Sequence, residues 1–159
     1  MVLRLGNEHL WDIRAHAEST YPDECCGLLL GKIAQDSKTL VEVIATENVW
    51  SAETAENFSR IEAESDLSYT QRSHYAIAPE IMLKAQKSAR DRQLNIIGIY
   101  HSHPDHPAIP SEGDRVYAWY EYSYIIVSVQ QGKASDLKSW SLDNDHQFQP
   151  EEIITVKSS

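Results

Sequence analysis

Apolar residues are concentrated in a few short runs, and these runs predict the strands of a sheet. Three runs are almost unbroken, at residues 26–30, 95–100 and 122–129, as expected for strands that are buried on both faces. Residues 40–45 and 137–142 are further strand candidates, and the first can form an antiparallel hairpin with residues 26–30. A short strand is predicted at residues 74–77. Residues 146–156 predict an edge strand, because Pro150 is tolerated only at a sheet edge or a bulge.

Three other segments have a helical pattern. Apolar residues recur every three or four positions at residues 7–19 and 79–89, with Asn7 and Pro79 at the two starts. A third helix is predicted at residues 111–119, where the sequence from Ser111 to Asp114 has the form of a capping box. Strands interleaved with helices indicate an α/β (α+β) fold, in which a mixed β-sheet is flanked by helices.

The length of 159 residues is that of one domain, and we expect a single domain over residues 1–159. Residues 46–72 are the exception to the regular pattern, because their apolar residues are scattered. Long irregular segments are often functional. This segment can therefore either hold a substrate or be an exposed excursion.

Charge and hydropathy exclude several classes of function. The formal net charge is −10 and no cluster of Lys and Arg is present, which argues against a nucleic-acid partner because phosphate binding depends on clustered positive charge. No apolar stretch is long enough to span a membrane, and the first six residues lack the pattern of a signal peptide. We therefore expect a soluble, cytoplasmic protein. The only cysteines, Cys25 and Cys26, are adjacent and are expected to be reduced thiols in the core.

Two histidines and an aspartate form the strongest candidate site. His101 and His103 follow the buried strand at residues 95–100, and residues two apart on a strand point the same way, so both imidazoles can reach one metal ion. Asp114, at the start of the third helix, can add a carboxylate. Three such ligands leave a zinc ion with one position for water, whose pKa the metal lowers from about 15.7 to about 7. The pattern predicts a catalytic zinc site, although iron and manganese accept the same ligands.

Hydrolysis at such a site also needs a general base. Glu24, just before the run at residues 26–30, and its neighbour Asp23 are both candidates. His106 lies between prolines in the loop after the histidine pair, and we expect it at the rim of the site. A fourth protein ligand would close the position that water needs.

Taken in order along the chain, these residues resemble a known family. Glu24 ahead of an apolar strand, then His-Ser-His-Pro at residues 101–104, then Ser111 and Asp114 are similar to the motif of JAMM (MPN-plus) metalloproteases. Every motif position is present. The sequence Glu-Cys-Cys-Gly-Leu-Leu-Leu-Gly at residues 24–31 resembles the small stand-alone bacterial members.

The resemblance implies a fold and a role for each residue. It implies a JAMM/MPN-like, cytidine-deaminase-like domain with one Zn²⁺ per chain, for which the ligands would be His101, His103 and Asp114. The motif favours Glu24 over Asp23 as the base and makes Ser111 a hydrogen-bond donor to the tetrahedral oxyanion. Ser111 can also cap its helix, because its oxygen accepts a backbone N–H while its hydroxyl hydrogen stays free to donate.

The resemblance also implies a reaction and a partner. The expected reaction is hydrolysis of a peptide or isopeptide bond at the C-terminal tail of a ubiquitin-like or sulfur-carrier protein, with Glu24 taking the proton of the attacking water and returning it to the leaving amine. Two alternatives stay open. One is a non-catalytic MPN-type interaction scaffold, and the other is a metal-dependent hydrolase of small amides.

Overall fold

The computed structural model describes residues 1–50 and 74–157. The strands are β1 (Val2–Gly6), β2 (Cys26–Ile33), β3 (Ser37–Thr46), β4 (Asn95–Pro104), β5 (Ser123–Gln130), β6 (Lys133–Leu142) and β7 (Phe148–Val156). The helices are α1 (Asn7–Thr20), α2 (Pro79–Asp91) and α3 (Glu112–Val116). The three apolar runs of the sequence thus form β2, β4 and β5, and their side chains are buried along most of each strand.

The seven strands form one mixed sheet that closes into a barrel, in the order β1-β3-β2-β4-β5-β6-β7. β1 pairs in parallel with β3 and with β7, and β4 pairs in parallel with β5, whereas all other pairs are antiparallel. The predicted mixed sheet and the β2–β3 hairpin are therefore confirmed. Closure was not predicted, and both strands that close the barrel differ from the sequence-based expectation.

The first of these strands, β1, was not predicted. Its side chains alternate as in a half-buried strand, since Leu3 and Leu5 are fully buried while Arg4 between them is exposed. The second, β7, was predicted as an edge strand, and this is wrong because it pairs with both β6 and β1. Pro150 is accommodated because β7 pairs with β6 up to Glu151 and with β1 only from Glu152 onward. One side of Pro150 is thus outside the sheet ladder, where its missing N–H costs nothing.

Two groups of buried side chains make up most of the apolar core. The larger group joins Ile13 and Ala17 of α1 to residues of the strands, among them Leu29 and Tyr100. The second group joins Ala85 of α2 to residues of β2, β4 and β5. The buried residues of each helix, Ile13 and Ala17 in α1 and Ala85 and Ala89 in α2, recur at the spacing that the sequence pattern predicts, whereas Ile81 of α2 is exposed.

Two predicted elements differ from the structure. Residues 74–77 do not form a strand, because their backbone groups are bonded to the side chain of Asn48 and to the N–H of Val49. The third helix begins where predicted, after Ser111, but ends at Val116 and does not reach Trp119. The backbone N–H of Trp119 instead donates to the hydroxyl of Tyr124 at 2.7 Å.

Most of the irregular segment 46–72 lies outside the described residues. The cytidine-deaminase-like arrangement of a sheet flanked by helices stays a prediction. Among the described residues, none of the helices has both the length and the hydropathy that crossing a bilayer requires.

Candidate active site

The end of β4 brings two imidazoles together. His101 and His103 lie two residues apart on the strand, are both buried, and have their Nε2 atoms 3.1 Å apart. Ser102 between them points away toward β2, where its hydroxyl accepts a hydrogen bond from the N–H of Cys25 at 2.7 Å. The alternation of the strand therefore produces the convergence that the His-x-His spacing predicts.

A backbone carbonyl determines the tautomer of His103. Its Nδ1 lies 2.9 Å from the carbonyl oxygen of Pro107. Because a carbonyl can only accept, Nδ1 must carry the proton, and in the neutral ring Nε2 keeps its lone pair. Metal-binding histidines are held in this way, with one ring nitrogen donating to the protein and the other facing the metal.

The capping box of α3 supplies the carboxylate. The hydroxyl oxygen of Ser111 accepts from the N–H of Asp114 at 3.1 Å, and the N–H of Ser111 donates back to Oδ2 of Asp114 at 2.9 Å. The two oxygens of Asp114 face the imidazoles, with Oδ1 3.2 Å from Nε2 of His101 and Oδ2 3.1 Å from Nε2 of His103. The cap thus holds the carboxylate against the end of β4.

The electrostatics of this group favour an anionic carboxylate. Burial raises the pKa of Asp114, but the charges and hydrogen bonds of His101 and His103 outweigh burial and hold the pKa well below its usual value. Burial lowers the pKa of His103, but the hydrogen bond and charge of Asp114 outweigh it and raise the pKa overall. Asp114 is therefore ionised at neutral pH, as a metal ligand has to be.

The donor set fits a divalent metal ion. The candidate ligand atoms of His101, His103 and Asp114 all lie within 4.8 Å of one another. Ligands at about 2.1 Å from a tetrahedral zinc ion are roughly 3.4 Å apart, close to the separations between these atoms. Two nitrogen lone pairs and a carboxylate facing one point also repel each other unless a metal ion or a proton lies between them. The three residues can therefore hold a metal ion.

Glu24 lies beside this group. Cys26 of β2 is paired with His101 of β4 in the antiparallel ladder. One residue further, the N–H of Ser102 donates to the carbonyl of Cys25 at 3.2 Å. The same register places Glu24 opposite His103. The side chain is only 5% exposed. Burial first, and then the charge of Asp114, hold the pKa of Glu24 well above its usual value. Asp23, the other candidate base, is partly exposed, so burial distinguishes the two carboxylates.

The two cysteines and His106 are not part of the candidate site. Cys25 and Cys26 are buried free thiols, and burial is the main cause that raises their pKa values to about 12 and about 11. Both stay protonated at neutral pH, which disfavours a role as nucleophile or metal ligand. His106 is exposed and is not part of the group that can hold a metal.

Sequence analysis missed two residues that touch the site. The ring of Tyr75 stacks on the ring of His101, with a centroid distance of 4.5 Å and an interplanar angle of 23°. The side chain of Asn48 donates to the backbone carbonyl of Glu24 at 3.0 Å. Neither residue belongs to a motif or to a regular element, so no local signal in the sequence identifies it.

A family model described as prokaryotic homologs of the JAB domain matches residues 7–143, which include all five candidate site residues. The chain belongs to this family. The resemblance to JAMM (MPN-plus) proteins, drawn from Glu24, the His-x-His pair and the Ser111–Asp114 motif, is thereby confirmed.

Solved structures and one curated protein are similar to this JAB-domain chain. A solution structure of a protein from Desulfitobacterium hafniense has a TM-score of 0.75 and 28% identity, with 99% of this chain and 94% of that chain covered. A solution structure from Salinibacter ruber has a TM-score of 0.67 and 29% identity, with 96% and 91% covered. A JAB1/MPN domain protein from Archaeoglobus fulgidus, at 18% identity, a TM-score of 0.50 and 96% of each chain covered, shares the fold.

The curated protein is a "Probable TtuB-protein conjugate cleaving protease" from Thermus thermophilus. It is 40% identical over 52 residues, which are 33% of this chain. The match spans only 35% of the length of that relative.

Proposed function

We propose that this JAB-domain protein is a zinc-dependent peptidase or isopeptidase that hydrolyses an amide bond at the C-terminal tail of a ubiquitin-like or sulfur-carrier protein. The observation that carries the proposal is the convergence of His101, His103 and Asp114 beside a buried carboxyl group, that of Glu24. Family membership and the name of the Thermus thermophilus relative, which refers to cleavage of a protein conjugate, support the reaction class and the partner.

His101, His103 and Asp114 would hold the zinc ion through two Nε2 atoms and a carboxylate. When bound, zinc lowers the pKa of a coordinated water and polarises a carbonyl group. The hydrogen bond from His103 to Pro107 keeps Nε2 available, and the cap at Ser111 keeps Asp114 in place. These contacts preorganise the ligands, which is what a metal site in an enzyme requires.

Glu24 is proposed to transfer the proton. Its raised pKa brings proton exchange toward neutral pH, where a general base is most effective. In the reaction a water oxygen bonds to the carbonyl carbon while Glu24 takes the proton of that water. The bond from carbon to nitrogen then breaks, and Glu24 returns the proton to the leaving amine. The hydroxyl hydrogen of Ser111, which the helix cap does not use, would donate to the oxyanion.

A charge-matched pair of variants tests this assignment. Glu24→Gln removes the base but leaves the three ligands, so we expect a loss of activity of about 10²-fold to 10⁴-fold with zinc content unchanged. Asp23→Asn removes a carboxylate from the neighbouring position, which is less buried, and the variant is expected to stay close to the wild-type rate. The measurements are metal analysis of the purified protein and mass spectrometry of carrier proteins with C-terminal extensions.

The two alternatives give different results in the same experiment. A non-catalytic scaffold would purify without stoichiometric metal, and its partner binding would be indifferent to Glu24→Gln. A hydrolase of small amides would act on free dipeptides when no protein tail is present. Loss of mass at the tail of a carrier protein, with no activity on dipeptides, is the result that supports the proposal.

A further inference from the structure

The two histidines of the candidate metal site are supported differently. His103 is oriented by the hydrogen bond from its Nδ1 to Pro107. The Nδ1 atom of His101 is buried and has no hydrogen-bond partner in residues 1–50 and 74–157. A ligating imidazole usually needs such a partner to keep its ring in one orientation. Another contact must therefore hold the ring of His101.

The aromatic ring of Tyr75 makes that contact. The rings of Tyr75 and His101 are nearly parallel, at 23°, with centroids 4.5 Å apart, within the range of offset-stacked pairs. The ring of His101 is also close to that of His103, at a centroid distance of 4.9 Å and an angle of 58°. Tyr75 also packs against the apolar group of Leu28, Ala85, Ile99 and Tyr124, so its own ring is supported from the core.

Asn48 holds the backbone on both sides of Tyr75. Its Nδ2 donates to the carbonyl of His74 at 3.0 Å, and its Oδ1 accepts from the N–H of Ala76 at 3.1 Å. The same side chain reaches the site from a second direction, because Nδ2 also donates to the carbonyl of Glu24 at 3.0 Å. One amide thus joins the segment of Tyr75 to the segment of the proposed base, although these lie far apart in sequence.

We infer that Tyr75 and Asn48 are positioning residues of the metal site. Tyr75 orients the ring of His101 by stacking, in place of the hydrogen bond that Nδ1 lacks. Asn48 fixes the position of the Tyr75 segment relative to the backbone of Glu24. The inference rests on the proposed function, since it assigns a role toward the metal that His101 would bind. It predicts that the affinity for zinc depends on an aromatic ring at position 75.

Zinc affinity of purified variants, measured by competition with a chromogenic chelator, tests the stacking role. Tyr75→Phe keeps the ring and is expected to bind zinc within about threefold of wild type, whereas Tyr75→Leu is expected to bind about tenfold or more weakly, as for other supporting contacts of metal ligands. Tyr122→Leu is the matched control, because Tyr122 packs against the same apolar group but does not stack on His101. It should lose stability without losing zinc affinity.

Asn48→Asp tests the positioning role of Asn48 without removing the ring of Tyr75. The substitution keeps the shape and the acceptor oxygen but removes both donated hydrogen bonds, so we expect zinc affinity to fall about tenfold and kcat to fall more than KM changes. If Tyr75→Leu does not fold, Asn48→Asp still tests whether zinc binding depends on how the segment of Tyr75 is held. The visible absorption of the Co²⁺-loaded protein reports ligand geometry and should change in Asn48→Asp and Tyr75→Leu but not in Tyr122→Leu.

The outcomes separate this inference from the proposed function. A wild-type protein that binds zinc, with Tyr75→Leu or Asn48→Asp binding as tightly, overturns the corresponding positioning role and leaves the proposed function standing. An equal loss in Tyr75→Phe and Tyr75→Leu assigns the effect to the hydroxyl and overturns the stacking role. A wild-type protein without stoichiometric zinc overturns the proposed function and this inference together.

Discussion

Ser111 has a structural role at the candidate site and is proposed to have a catalytic one. Its oxygen accepts the N–H of Asp114 and so completes the N-cap of α3. The hydroxyl hydrogen is not needed for that contact and is free to donate to a substrate. A substitution at this one position is therefore expected to affect both stability and catalysis.

Ser111→Ala should lower both properties. Loss of the cap is expected to reduce the free energy of unfolding by about 1 kcal/mol, and loss of the hydroxyl donor to reduce kcat about 10²-fold. Ser111→Thr keeps the oxygen and the hydrogen and should stay near wild type in both. Chemical denaturation and steady-state kinetics measure the two effects. An unchanged kcat in Ser111→Ala would leave Ser111 with the capping role alone.

A second residue-scale prediction concerns pH. His16 of α1 is half-buried, with Nδ1 2.7 Å from the hydroxyl of Tyr100, and burial lowers its pKa below the ordinary value of 6.5. Between the lowered pKa and 6.5 the unfolded chain binds more protons than the folded chain, so His16 makes the protein less stable as the pH falls below about 6.5.

The comparison of wild type with His16→Asn isolates this contribution. Urea denaturation at pH 7.5 and at pH 5.5 should show that the stability advantage of wild type over His16→Asn shrinks at the lower pH. Other titrating groups are common to both proteins and cancel in the difference. A difference that is the same at both pH values would contradict the prediction.

At the scale of elements, β1 is only five residues long, but the closure of the barrel depends on it. It pairs with β3 on one side and with β7 on the other, so it closes the barrel. Its inward residues, Leu3 and Leu5, belong to the larger apolar group together with Ile13 and Ala17 of α1. The strand is thus attached both by backbone pairing and by packing.

Leu5→Ala should be strongly destabilising. Removing this fully buried side chain is expected to lower the free energy of unfolding by about 2–5 kcal/mol, the usual range for Leu to Ala in a core. Arg4→Ala in the same strand changes an exposed side chain and should shift stability by less than about 0.5 kcal/mol. Denaturant titration of both variants measures the difference, and similar values for the two would argue against a packed β1.

At the scale of the whole molecule, a polar cluster connects strands that are not neighbours in the sheet. Lys38 of β3 is buried and donates to the carbonyl of Glu121 at 2.7 Å and to the hydroxyl of Ser123 at 3.0 Å. Ser139 of β6 donates to Glu151 of β7 at 2.8 Å, and the charge of Glu151 acts on Lys38. Burial lowers the pKa of Lys38, while Glu151 and Glu121 counteract that shift.

Lys38→Ala should therefore cost about 3 kcal/mol or more of unfolding free energy, because it leaves buried acceptors unpaired and Glu151 without a nearby positive charge. Lys32→Ala, at an exposed position on the adjacent strand, is the control and should change stability by less than about 0.5 kcal/mol. In a double-mutant cycle, Lys38→Met and Glu151→Gln should together cost less than the sum of their separate effects. Strict additivity would show that the two side chains do not interact.

The sequence by itself determined those features that depend on neighbouring residues. Apolar runs predicted β2, β4 and β5, the two-residue alternation along β4 predicted that His101 and His103 face one point, and the pattern after Pro110 predicted the cap that holds Asp114. Each follows from strand or helix geometry over a few positions, and such geometry is the same in any fold.

Only the tertiary structure decided the features that depend on residues far apart in the chain. It buried Glu24 and left Asp23 partly exposed, joined β1 to β7 to close the barrel, and brought Tyr75 and Asn48 to the site. The irregular backbone at residues 74–77 likewise follows from its bonds to Asn48. Burial and strand pairing depend on which segments of the chain come into contact in the folded protein. Local sequence patterns do not identify those distant partners.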